Sequence, residues 1–557
     1  MNTNRRYAVA AGIAVALICG ISIVVFSLIR QSEYDVTVLV PPGPFHGIHG
    51  STFAPDGSLY AGDIMGMSVH RIDVATGAAR VIVGPPEGMA DDVAIAPVGS
   101  PHAGTLVWSG VGVGRLYARA PKGETRLIAG DVPGVNAVVF APDGRLFVAQ
   151  MGARNNILWE FDLTDAKAGG RPPQKLWDET GGLNSFVVRD NAIIGPQGDT
   201  GAIIRFDLAT HDVKTIATGL TWPTAVKADA NGQLYAVDLE AGTVHRIDVE
   251  KGTTPVIATL EPGLDNFSVG ANGKLYVSSI TRNGIFEIDP TTGTERTIVR
   301  GQLTAPGGVA IAGSGETARI YVADMYTLRA VHPRTGAVET VIPMSREGIY
   351  PGAVSAHAGP NGDHLILTSW FVGRLEVRDR LSGNLVRMEK DLAAPRDALE
   401  LDDGSLLVAE TGAHRLLHIH ADGSRSALPA AFADPVGLAR AGEAVFVTDA
   451  WSGTLSRVDL RSGQASLVAN GFGRPEGVAV RPDGKVLVVD SLKQTVVAVD
   501  PATGKQSGMA TVVPVGLEGP PPQNPAWIHN GVAVAGDGMV YLSSDTRAAL
   551  YAFTPRR

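Results

Sequence analysis

Residues 477–504 read GVAVRPDGKVLVVDSLKQTVVAVDPATG. An apolar run leads into a Pro-Asp-Gly turn. A second apolar run ends in Asp490, a third follows, and a Thr-Gly turn closes the unit. Asp-Gly and Asn-Gly supply the positive φ angles that a tight hairpin demands. Runs such as VLVVD suit strands buried on both faces. The same grammar recurs in VVFAPDGRLFVAQM (138–151) and in AVKADANGQLYAVDLEAGTVHRIDVEKG (225–252). Working outward, the turn residues Asp56, Asp143, Asn231, Asn272, Asn361, Asp403 and Asp483 fall one or two repeats of about 42 residues apart. Degenerate units at 93–110 and 437–453 fill gaps, giving twelve units between residues 45 and 557.

Four short strands in about 42 residues, repeated, predict β-propeller blades. The fold class is all-β. Twelve blades exceed the usual ring of about eight, so the sequence predicts a tandem pair of six-bladed β-propellers. The junction lies near Gly301–Pro306, giving a first β-propeller over 31–303 and a second over 304–557. The last unit (529–555) holds only three strands, and Tyr34–Val40 (YDVTVLV) is a spare one. A nested order, with that strand completing the last blade, is the alternative. The Pro-rich insert 513–528 breaks the period and reads as a loop over one ring face.

Composition narrows the function. Gly is 67 of 557 residues, a turn-rich count without collagen-like period. The net charge is −9 and no basic run occurs, which argues against nucleic acid as a partner. The lone cysteine, Cys19, rules out a disulfide framework. Residues 7–29 carry 23 consecutive uncharged residues behind Arg5 and Arg6, long enough to span a bilayer. The expectation is an N-terminal membrane anchor within residues 1–30, with the body outside the cytoplasm, periplasmic or extracellular. A cleaved signal peptide is the alternative, although no small-x-small site follows the apolar run.

In a propeller, residues entering each innermost strand meet at the mouth of the central channel. For the first ring these include His49, Asp92, Asn136, Asn184 and Asp265. Oxygen donors converging from separate blades suit a divalent metal, Ca²⁺ in the first instance. Asp92, Asn136, Asn184 and Asp265 are the expected metal ligands. His49, Asp92 and Asp265 are the expected catalytic groups, with His49 or a carboxylate as general base. The rival reading is that Asp and Asn cap turns there. In the second ring Arg396, Asp397, Glu410, Glu476 and His529 form a possible ligand site, and a satisfied ion-pair network is the rival. No GxSxG, HExxH or Walker loop occurs.

The repeat at 475–504 resembles NHL repeats, and GVNAVVFAPDGRLFVAQM (134–151) is similar to a blade of the SMP-30/gluconolactonase family. The resemblance covers nearly all of the chain after residue 45. It implies six-bladed propellers with a central divalent metal, usually Ca²⁺, acting on lactones or phosphotriesters. It also implies metal-ligand roles for Asn136, Asn184 and Asp265. The family's first-blade glutamate has no match, since His46 and His49 stand there. Two readings follow: a membrane-anchored, metal-dependent hydrolase of lactone or ester type, or a non-catalytic scaffold binding an envelope protein or glycan. A scaffold would show an exposed aromatic patch, with Trp222, Trp370, Trp451 and Trp527 as candidates. A lyase acting on a cyclic ester is a third.

Overall fold

A computed structural model describes residues 33–152, 156–164, 170–345, 355–519 and 527–556. Among these, the strands form twelve antiparallel sheets of four. The inner strands Ile48–Phe53, Val93–Ile95, Val135–Phe140, Val187–Arg189, Pro223–Ala228 and Leu264–Val269 each pack on the next, and the sixth packs back on the first. A second closed ring begins at Val309–Ala312 and ends at the blade whose inner strand is Val532–Val534. Closure leaves no sheet face bare, so runs such as Leu234–Asp238 and Val486–Asp490 are buried along their whole length.

Tyr34–Val40 pairs antiparallel with Ala549–Pro555, from Tyr34 opposite Pro555 to Val40 opposite Leu550. It is the outermost strand of the last blade. The order is therefore nested rather than a plain succession: the first ring is inserted after one strand of the second. Residues 31–303 accordingly carry a strand that belongs to the second ring. The physical reason is pairing: the three-stranded last blade leaves an edge of unpaired N–H and C=O groups, and the spare strand covers it. The proposed anchor, residues 7–29, lies outside the described residues. Among the described residues no helix is long and apolar enough to cross a membrane.

The aspartates ending the second strands have a shared local task. Asp238 accepts from the N–H groups of Thr221 and Trp222, and Asp324 from Thr304 and Ala305. Asp449 takes Ala433 and Asp434, Asp490 takes Gly473 and Arg474, and Asp545 takes Gly516 and Leu517. Each ties the chain leading to its blade's inner strand to the end of the second strand. Hydrogen bonds to charged groups contribute about 1.5–3 kcal/mol each. Asp490→Ala is therefore expected to cost roughly 3 kcal/mol, read as a lower urea midpoint at constant slope. A loss below about 1 kcal/mol would contradict the assignment.

The two rings meet through an apolar cluster. Ile64, Met65, Met67, Met89, Leu239 and Ile280 come from the first ring. Ala305, Met325, Tyr326, Met344, Trp527 and Ile528 come from the connection and the second. Five of the chain's ten methionines lie here. Trp527, at the end of the Pro-rich insert, reaches across the interface: a Cβ on Gly112 would stand 2.6 Å from its Cη2.

Candidate metal centre and ring mouths

His49 and Asp265 are the second residues of the first and sixth inner strands, Ile48–Phe53 and Leu264–Val269, and Asp91 lies in the loop entering the second, Val93–Ile95. Ring closure makes these three blades neighbours. His49 Nδ1 lies 3.2 Å from Asp91 Oδ1 and 3.6 Å from Asp265 Oδ2. One ligand atom from each of the three lies within 4.8 Å of the others. Two ligands bound at 2.0–2.2 Å to one tetrahedral ion stand roughly 3.3–3.6 Å apart. The two separations from His49 are close to that spacing. His49 and Asp91 are buried, and the Asp265 side chain is 15% exposed. Both ring nitrogens of His49 are buried without a hydrogen bond, so its contacts to the carboxylates are ionic rather than directed.

Burial alone would push the His49 imidazole down, but the Asp265 and Asp91 carboxylates override it and raise it to about 10. A folded-state value above the unfolded value of about 6.5 stabilises the fold fully below pH 6.5. That contribution is lost as pH rises through 6.5 towards 10. The metal-free protein is expected to show a falling melting temperature over this window, and His49→Gln is expected to flatten it. An unchanged slope in the variant would refute the ion cluster. Burial, as its largest cause, raises the Asp91 carboxyl above the ordinary range.

Asp92 stands beside Asp91 in sequence but turns into the channel. Its Oδ1 accepts from the Val93 N–H at 2.9 Å and Asn266 Nδ2 at 3.1 Å. Its Oδ2 accepts from the Val138 N–H at 3.2 Å and the Ser185 hydroxyl at 3.4 Å. Burial pushes its carboxyl up to about 7 against the pull of the Lys227 ammonium. Lys227 donates to Ser185 Oγ at 2.6 Å, and burial lowers its own pKa. Asp92 therefore bridges blades across the channel. The Asn184 side chain accepts from the Ser185 N–H, a local turn bond. Asn136 Oδ1 is buried with no partner. The structure thus gathers His49, Asp265 and Asp91, and sets Asp92 into a network of its own. Asp91 is a mouth residue by its place in the repeat, as Asp92 is, but Asp92 rather than Asp91 is the ligand expected from sequence. The backbone-bridging role of Asp92 is what decides between them.

In the second ring, Asp397 repeats the Asp92 role, accepting from the Ala398 and Leu438 N–H groups. Glu410 accepts from the Ala393 N–H and Arg415 Nε, as the strand-end aspartates do. Glu476 is wholly buried, holding Asn530 through its N–H and Nδ2 at 3.0 Å and Ser491 Oγ at 2.6 Å. Arg396 lies over the Trp370 ring, 4.6 Å from its centroid, and donates to the Trp527 carbonyl. Burial lowers its guanidinium to about 10. Burial, with Arg396 and Arg474 nearby, holds His529 well below its ordinary value. A cavity of about 30 Å³, room for a water, lies among Asp397, Glu476, His529 and Asn530.

No protein-family model matches the chain, and no curated protein does. Similar solved structures include a virginiamycin B lyase from Staphylococcus aureus. It is 16% identical, with 52% of this chain and 96% of that one covered, at a TM-score of 0.37. A gluconolactonase from Xanthomonas campestris is 14% identical, covering 46% of this chain and 87% of that one, at a TM-score of 0.37.

Proposed function

We propose that the first ring is a metal-dependent hydrolase of lactone or ester type, carried outside the cytoplasm on the N-terminal apolar segment. The observation that carries this is the convergence of His49, Asp91 and Asp265 at ligand spacing on three neighbouring blades. A metal ion would displace the imidazole proton that the two carboxylates otherwise hold, so its affinity would rise with pH. One imidazole nitrogen with two carboxylates suits Zn²⁺ or Mn²⁺ better than Ca²⁺, which prefers an all-oxygen shell. His49, Asp91 and Asp265 would hold the ion, with the unpartnered Asn136 Oδ1 as a further oxygen donor on the third blade. Such a dication supplies Lewis acidity towards an ester or lactone carbonyl. Asp265, the most exposed of the three, is the side chain an incoming substrate meets first. Asp92, Ser185 and Lys227 hold the inner strands in register beneath.

The test is metal content of the purified protein, with melting curves in Zn²⁺, Mn²⁺ and Ca²⁺, followed by a lactone and ester screen. One equivalent of ion, a rise in melting temperature and hydrolysis are expected. No retained ion and no shift with any of the three would overturn the reading.

The scaffold alternative draws on one observation. Phe371, Trp451 and Leu492 follow the second strands of three blades of the second ring and are 58%, 71% and 64% exposed. Of the four tryptophans considered from sequence, only Trp451 is so exposed, while the other three join the ring–ring cluster.

A further inference from the structure

The ring–ring contact lies against the first-ring site. The Tyr326 ring, from the second ring, stands 6.2 Å from the His49 ring, edge to face. A Cβ on Gly47 would lie 3.6 Å from Tyr326 Cε2. Met89 is two residues before Asp91, and Met65 follows the strand that ends in Asp63. Both pack in one cluster with Ile280, Tyr326 and Trp527. The metal-ligand group therefore has a carboxylate side, formed by the first ring, and an apolar aromatic side, to which the second ring contributes.

We infer that the second ring is the specificity wall of the first-ring site, and that the substrate is a lactone or ester bearing a bulky alkyl or aryl group. This rests on reading the His49 cluster as the reacting site. The reacting carbonyl sits at Asp265, and the apolar group lies against Met89, Tyr326 and Trp527. Polar or sugar-like lactones lack anything to offer such a wall, and would leave their hydroxyls unpaired against it. Methionines are unbranched and polarizable, so a Met-rich contact repacks around an inserted group with little loss.

The experiment uses the full chain and γ-alkyl lactams, which resist hydrolysis, with side chains of increasing length. Binding is read from tryptophan fluorescence and needs no turnover. Affinity is expected to tighten about fourfold for each added methylene, the effect of burying one such group. Tyr326→Ala and Trp527→Ala are each expected to flatten that dependence while keeping metal content at the wild-type level. Trp527 lies at the end of an inserted loop, so its variant keeps the test usable if Tyr326→Ala fails to fold. Affinity independent of chain length, or the same dependence in wild type and folded variants, would overturn the inference. Protein that takes up no ion yet still shows the chain-length dependence would overturn the metal reading and leave the apolar wall standing.

Discussion

Asp91→Ala is expected to abolish stoichiometric metal binding, with an affinity loss of at least about 100-fold. Changes to groups that merely orient a ligand already cost about 10–100-fold, and Asp91 is placed to be a ligand itself. Its Oδ1 lies 3.2 Å from His49 Nδ1, and it has no backbone hydrogen bond that the substitution would break. The neighbouring substitution is expected to do the opposite. Asp92→Ala should leave metal content near one equivalent and lower stability by several kcal/mol, because it strands the Val138 N–H, Ser185 and Asn266. Metal analysis beside chemical denaturation of the two variants separates these effects. Equal metal loss in both, or in neither, would contradict the division of labour between the adjacent carboxylates.

The second large effect is at the N-terminal strand. A chain beginning at Pro41 is expected to melt at least about 10 °C below one beginning at Gln31. Tyr34 is 2% exposed and Val40 is fully buried, and Tyr34 packs in one cluster with Phe553 and Val540. Burying two such side chains contributes about 3–6 kcal/mol, a large share of the 5–15 kcal/mol typical of a domain. Truncation also bares the edge of Ala549–Pro555, an invitation to aggregation. The loss should fall on the second ring alone, since the first is closed by its own blades. Calorimetry that resolves two transitions would show one displaced and one unmoved. Equal melting of both chains would contradict the role of the strand.

The sequence by itself determined the blades. Gly-containing turns at a repeat of about 42 residues, between runs too apolar for a one-faced sheet, admit little but stacked four-stranded units. It also determined their number, and His49 and Asp265 as mouth residues, because entry to an inner strand is a position a repeat makes legible. What the tertiary structure alone decided was which partner each mouth residue takes. Asp91 and Asp92 are the same residue type one position apart. Only the fold of the loop just before Val93–Ile95 sends one towards His49 and the other to Val138. The strand-end carboxylates Asp490, Asp449 and Glu410 show in the sequence only their place at the end of a second strand. Their partners are backbone N–H groups some sixteen residues away, which no spacing rule reveals. The nested order likewise needed the fold, since a spare strand at one end and a missing one at the other are joined only when the ring closes. The same holds for Tyr326 beside His49, 277 positions apart in the chain and brought together by two rings meeting at their mouths.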